Sequence, residues 1–299
     1  MLIDVHAHVG RIVRDRAEML DAAAVVRNMD AWGIDMACVL CLSETPEAEY
    51  LECDTEDVIR ECSHFPDRLA PFCLIDPRFG GNSPDMDFRY LLEEYAARGC
   101  KGMGEMLPKM AFDEPRCLNL FRQAGEFGMP VLFDMNDNEA HYGLRDAPGL
   151  PRLEAALRAC PGTVFIGHGP TFWAEVSAGA TQADRLSYPS GPVKPGGAVP
   201  RLMGQCANLW ADLSAGSGYN AVTRDPAFGL EFLDRFQDKL LFGTDCCVRS
   251  ATAEHTPIVT WFPSLLEGKR LTEAAWQKIA WRNAAGLLGI RVADSSFLR

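Results

Sequence analysis

Two histidines, His6 and His8, flank a single alanine at the end of the apolar run Leu2-Ile3-Asp4-Val5. In a β-strand residues i and i+2 face the same side, so both imidazoles can reach one metal ion from one direction. Three later apolar runs end in residues of the same chemical kind. Cys100-Lys101-Gly102-Met103-Gly104 leads to Glu105, Val164-Phe165-Ile166-Gly167 to His168, and Leu240-Leu241-Phe242-Gly243-Thr244 to Asp245. A carboxylate that closes an apolar run is expensive to bury unless it is paired or metal-bound, and a histidine between two glycines packs poorly. The expected chemistry is therefore a metal centre. His6, His8, Glu105 and Asp245 are its candidate ligands, with Glu105 able to bridge two ions. His168 is a ligand or a catalytic hydrogen-bond donor. Asp245 is the candidate acceptor of a proton from a metal-activated water. Imidazole-rich donor sets suit Zn²⁺, Mn²⁺ or Fe²⁺ better than Mg²⁺ or Ca²⁺. The expected cofactor is one or two divalent ions, with Zn²⁺ first.

Such a set works only if distant segments meet in one place. Apolar runs begin near Leu2, Met36, Leu69, Lys101, Pro130, Thr163, Asn208 and Lys239, at intervals of 34, 33, 32, 29, 33, 45 and 31 residues. A βα unit of a parallel barrel takes about 30 residues. Apolar residues at 3–4 spacing fill the gaps at 22–31, 56–64, 88–98, 117–126, 150–159 and 228–236, which predicts helices there. Eight alternations predict an α/β fold, a (β/α)8 TIM barrel whose strand ends share one catalytic face. A doubly wound sheet would carry a glycine fingerprint after its first strand, where this chain has His-Ala-His. The long sixth interval contains a Gly/Pro-rich insert at 187–197, read as a loop after strand six that contacts substrate. A last helix over 272–288, capped by Thr272 and ended by Gly289, is expected to cover one barrel end. Residues 1–299 read as a single domain.

Composition narrows the partners. The 299 residues carry 29 Lys+Arg against 41 Asp+Glu, a net charge of -12, which argues against a nucleic-acid partner. No run reaches the roughly 18–20 apolar residues of a membrane span, and the N-terminus lacks the pattern of a signal peptide. Eleven scattered cysteines read as reduced thiols of a cytoplasmic protein. Cys38 and Cys41 are expected in the core, whereas Cys246 and Cys247 follow Asp245, where a pocket-lining thiol is the alternative to a structural one. Residues just past strand ends are the substrate-contact candidates of a barrel. Here these are Asn136, Trp173, Lys194, Tyr219 and Arg249, with His141, Tyr142, Ser214 and Ser217 beside them. Lys194 and Arg249 are cations in an acidic chain and suggest a small, anionic substrate. His64 and His255 are expected on the surface.

Together these motifs resemble the amidohydrolase superfamily, in particular the amidohydrolase-related group that contains aminocarboxymuconate-semialdehyde decarboxylase. The resemblance covers nearly the whole chain. It rests on Ile3-Asp4-Val5-His6-Ala7-His8, Gly167-His168-Gly169-Pro170, Leu241-Phe242-Gly243-Thr244-Asp245, and a tail of Lys278-Ile279 with Asn283-Ala284-Ala285-Gly286-Leu287-Leu288. It implies metal binding by His6, His8 and Asp245. It implies a second metal or substrate polarisation at His168, and it matches Glu105 to the fourth-strand glutamate or carboxylated lysine of binuclear members. One position departs. The family's fifth strand usually ends in a metal-binding histidine, where Pro130-Val131-Leu132-Phe133 is followed here by Asp134. Asp134 is then expected as an oxygen ligand in its place. The leading reading is a metal-dependent hydrolase that cleaves an amide, ester or lactone bond in a small molecule. The alternatives are a non-hydrolytic decarboxylase of a small carboxylic acid and a non-catalytic ligand-binding barrel. Barrel enzymes often form homo-oligomers, but no sequence feature marks an interface.

Overall fold

A computed structural model describes residues 1–12, 19–43, 45–139 and 141–292. Eight strands order them: β1 (Ile3–His8), β2 (Met36–Leu40), β3 (Leu69–Pro71), β4 (Met103–Met106), β5 (Val131–Asp134), β6 (Phe165–His168), β7 (Leu209–Asp212) and β8 (Leu240–Leu241). β1 to β3 pair in parallel, as do β4 to β8. Single parallel bridges close both seams, Cys73 with Met103 and Ala7 with Cys246. Backbone bonds reinforce them: Cys73 N–H to Gly102 O (3.0 Å), Val5 N–H to Phe242 O (3.0 Å) and Asp245 N–H to His6 O (2.7 Å). The strands form the expected (β/α)8 barrel, and parallel strands put every C-terminal end at one mouth.

The expected helices are present within two residues of their predicted limits, as Ala22–Trp32, Thr55–Ser63, Arg89–Ala97, Pro115–Glu126, Pro151–Ala159 and Pro226–Arg235. Local chemistry sets their ends. The Asp21 carboxylate accepts the Ala24 N–H at 2.8 Å, and Gly33 stops that helix at φ 68, a left-handed turn that glycine makes without a Cβ clash. The insert at 187–197 holds neither helix nor strand. Helices Ala198–Gln205, Ala215–Thr223 and Ile258–Glu267 were not expected. Nor was the antiparallel ribbon that pairs Arg11–Ile12 with Tyr50–Leu51. No helix among the described residues is long and apolar enough to cross a membrane.

Ile3, Val5, Cys38, Leu40, Ala70, Phe72, Leu132, Ile166 and Leu241 fill the ring, and Ala284, Leu288 and Ile290 of the C-terminal segment join them. The last helix thus covers the end opposite the mouth, as expected. Thr272 caps it by accepting the Ala275 N–H at 3.2 Å, a π-helical turn spans Lys278–Arg282, and Gly289 ends it at φ 58. Cys38 and Cys41 are core residues at 0% exposure.

Strict alternation fails in two strands, and both failures serve the mouth. In β1, Asp4 pairs with Ala37 but Ala7 pairs with Val39, so Val5 and His6 together oppose Cys38. In β4, Met103 pairs with Val131 but Met106 pairs with Phe133, so Gly104 and Glu105 together oppose Leu132. Bulges of this kind re-aim a side chain. They bring His6 and Glu105 inward without dislodging the apolar residues beneath. A Cβ on Gly104 would lie 2.8 Å from Leu132 O, so the β4 bulge requires glycine.

Candidate metal centre

Above the apolar interior the strand ends deliver a polar layer: His6 and His8 from β1, Glu105 from β4, Asp134 from β5, His168 from β6, Asp212 from β7, and Asp245 beyond β8. Asp134 and His168 are direct partners in the β5–β6 register. All but Asp245 are buried; the Asp245 side chain is 23% exposed. Asp245 holds φ 55, a left-handed conformation that aspartate tolerates better than most residues.

Each imidazole is held through Nδ1. His6 Nδ1 lies 2.9 Å from Asp212 Oδ2, His168 Nδ1 3.0 Å from Asp212 Oδ1, and His8 Nδ1 3.2 Å from Leu40 O. An acceptor at Nδ1 selects the tautomer whose Nε2 lone pair is free to ligate. The Nε2 atoms of His6 and His8 are 3.1 Å apart. Glu105 Oε2 lies 3.3 Å from the first and 3.6 Å from the second. Asp245 Oδ1 lies 3.6 Å from the first and 3.0 Å from the second. A four-coordinate ion with bonds of about 2.0–2.1 Å imposes ligand–ligand edges of about 3.4 Å, and these distances bracket that value. The other oxygens of the same two carboxylates, Glu105 Oε1 and Asp245 Oδ2, each lie 3.8 Å from His168 Nε2. Glu105, Asp134 and His168 also form a compact ligand group, and Asp134 Oδ1 is buried with no hydrogen-bond partner among the described residues.

The electrostatics agree with a place for cations. Burial alone would raise the Asp245 carboxyl, but the His6, His8 and His168 imidazoles bring it down to about 2. Burial, with the Glu105 carboxylate close by, pushes Asp134 up to about 8. Asp134 is thus a buried carboxyl short of positive charge, and its orphaned oxygen fits a divalent ion.

The structure therefore assembles His6, His8, Glu105, Asp134, His168 and Asp245. Two of the five predicted contact residues, Trp173 and Arg249, are engaged elsewhere. Trp173 is 2% exposed and packs between Phe172 and Phe232, with ring centroids 5.2 and 6.1 Å away. It is a core residue of the short helix Pro170–Ala174. Arg249 donates to Met19 O at 2.8 Å and lies 3.3 Å from Asp21, so it ties its loop to the start of helix Ala22–Trp32. Lys194 lines a cavity with Ser177, Asp184 and Arg224. Asn136 Oδ1 accepts the Asn138 N–H at 3.1 Å and closes a turn. Tyr219 packs edge-on against Trp261 at 5.7 Å. His64 and His255 are exposed, as expected.

Sequence reasoning passed over Asp212, although it closes Leu209-Trp210-Ala211 just as Asp245 closes its own run. Cys247 Sγ lies 3.5 Å from Asp245 Oδ1, so one of the two flagged thiols does reach the centre. Tyr50 and Tyr142 also stand near it: burial raises both hydroxyls, and the Glu105 and Asp245 carboxylates add to the effect. Tyr50 arrives on the unexpected ribbon, which no spacing announced.

A family model described as amidohydrolase matches residues 3–290. No curated protein matches the chain. Solved structures share the fold. A putative 2-pyrone-4,6-dicarboxylic acid hydrolase from Pseudomonas putida is 15% identical over 98% of each chain, with a TM-score of 0.61. An amidohydrolase from Burkholderia multivorans with bound zinc is 14% identical over 97% of this chain and 100% of that one, with a TM-score of 0.61. A dihydroxybenzoic acid decarboxylase from Polaromonas sp. JS666, with bound manganese and the inhibitor 2-nitroresorcinol, is 16% identical over 99% of each chain, with a TM-score of 0.58.

Proposed function

Since the chain belongs to the amidohydrolase family across residues 3–290, we propose that it is a metal-dependent hydrolase of an amide, ester or lactone bond in a small, anionic molecule. The observation that carries this reading is the two-sided use of Glu105 and Asp245. Each turns one oxygen to the His6–His8 pair and the other to His168. His6, His8, Glu105 and Asp245 would hold one divalent ion, and Glu105, Asp134 and His168 a second. When bound, such an ion supplies Lewis acidity and makes water a nucleophile near neutral pH. Zinc is the first expectation, and manganese the second.

The protein's own groups do the rest. Asp245 is the ligand open to solvent. It accepts the proton of the attacking water and returns it to the leaving group. Asp212 and Leu40 O hold the imidazoles in place. Cys247 lies against Asp245 and limits bulk water around the transferred proton.

Decarboxylation of a small carboxylic acid is the second reading, supported by the likeness to the Polaromonas enzyme. Turnover of amides, esters, lactones and carboxylic acids in ¹⁸O-water separates the two. Label in a product carboxyl supports hydrolysis. Release of CO₂ with no label in the organic product gives the decarboxylase, and no turnover by metal-loaded protein leaves a binding barrel. Asp245→Asn, compared with the wild type at matched metal content, should lower turnover by at least about 10². Activity near that of the wild type removes the proton-transfer role.

A further inference from the structure

One carboxylate serves two imidazoles. Asp212 Oδ2 meets His6 Nδ1 at 2.9 Å and Oδ1 meets His168 Nδ1 at 3.0 Å. The two rings come from β1 and β6, which do not pair with each other, yet their centroids are 4.4 Å apart. His6 and Asp212 are fully buried and His168 is 3% exposed, so water is no ready substitute partner. We propose that Asp212 is a shared positioning residue. It fixes both rings with Nδ1–H toward itself and Nε2 toward the metal centre, and His6 is the ring that depends on its second oxygen. The inference rests on the metal-binding part of the reading above and not on which reaction follows.

The inequality between the rings comes from Ser214. Its backbone N–H at 3.0 Å and its hydroxyl at 2.6 Å both donate to Asp212 Oδ1. Oδ1 therefore faces two fixed donors besides His168. Among the described contacts, Oδ2 faces His6 alone. An amide at position 212 must place its carbonyl where the serine donors point, at Oδ1. Its NH₂ then takes the Oδ2 position and points at His6. A donor cannot accept the His6 Nδ1–H. His6 must offer Nδ1 as an acceptor, which moves its own proton to Nε2 and turns an N–H toward the place where a lone pair is needed. His168 keeps its oxygen partner. Ser214 Oγ lies 3.2 Å from His6 Nδ1 and 3.0 Å from His168 Nδ1; for His6 it is a longer contact than Asp212 Oδ2 at 2.9 Å, so it replaces that partner only in part.

The test is Asp212→Asn, nearly isosteric, read without any substrate. Zn²⁺ affinity by chelator competition should fall about 10- to 100-fold, as for other partners of metal-ligating histidines. Ring ¹⁵N NMR of the Zn²⁺-loaded protein should show Nδ1–H on both His6 and His168 in the wild type. In Asp212→Asn a His6 that moves its proton to Nε2 also leaves the ion, so its Nδ1–H signal should disappear together with its zinc-ligated Nε2 signal, and both His168 signals should persist. Ser214→Ala keeps the carboxylate, so it should keep both Nδ1–H signals and lose less than tenfold in affinity. Wild-type affinity in Asp212→Asn, or loss of the His168 signal instead of that of His6, overturns the proposal and leaves the metal-dependent reading standing. Wild-type protein that binds no Zn²⁺ overturns both. If Asp212→Asn fails to fold, Ser214→Ala decides. A loss there of either Nδ1–H signal would show that the serine, not Asp212, sets the tautomers.

Discussion

Glu105 is where a single side chain governs the most. It sits in the β4 bulge, is 4% exposed, and is the carboxylate common to both predicted ligand groups. Glu105→Gln keeps the shape but halves the ability to bridge, because an amide nitrogen cannot ligate. Metal content by elemental analysis should drop to one ion per chain or fewer. An unchanged stoichiometry would remove Glu105 from the ligand set. At this scale the sequence was informative where a polar group closes an apolar run, because burying such a group demands a reason. His6, His8, Glu105, His168 and Asp245 all carry that signal. Position after a strand end is a weaker signal, and Trp173 and Arg249 show why. Each has a partner that costs less than substrate: an aromatic core for one, and Met19 O with Asp21 for the other.

Elements decide how those side chains are aimed and how firmly the frame holds. The C-terminal helix contributes to the barrel's own interior, so it is part of the core and not an appendage. Leu288 is 4% exposed within that interior cluster. Leu288→Ala should cost about 2–5 kcal/mol, measured by urea unfolding. A cost below about 0.5 kcal/mol, the range of ordinary surface substitutions, would mean that the helix does not seal the barrel. A second device links loops at the mouth end. Arg78 bonds Glu47 at 2.8 Å and Asp76 at 2.6 Å, which joins the loop after β2 to the loop after β3. The hydrogen bond from Arg78 holds the Glu47 carboxyl at about 2, below its ordinary 4.5. A pKa lowered by folding stabilises the protein above the unfolded value, and that contribution fades as pH falls toward the folded value. The wild type should therefore melt above Arg78→Met at neutral pH. The gap should narrow as pH drops below about 4.5; a gap that does not change with pH removes Glu47 from the account. The helices themselves were legible because 3–4 spacing and caps are local. The bulges were not, because the extra residue in β1 or β4 exists only relative to a neighbouring strand.

The whole molecule concentrates Glu105, Asp134, Asp212 and Asp245 in one small polar layer beneath a net charge of -12. A cation that binds this layer in the folded chain but not in the unfolded one stabilises by mass action. Chelator-treated protein should therefore melt at a lower temperature in scanning calorimetry, and added Zn²⁺ or Mn²⁺ should restore it. A thermal midpoint indifferent to metal would argue against a tightly held ion. The eightfold alternation, the lack of a run suited to a membrane span and the strand-end residues with the right chemistry can all be read from the unfolded chain. These follow from periodicity, hydropathy and desolvation cost, which are properties of short stretches of chain. Folding adds that Asp134 stands beside His168 with an orphaned oxygen, that Tyr50 arrives on a ribbon made by two loops, and that Asp212 reaches two imidazoles from different strands. Those facts depend on ring closure and inter-strand register, which set distances between residues up to 240 positions apart, as between Asp4 and Thr244. No local pattern encodes such a distance.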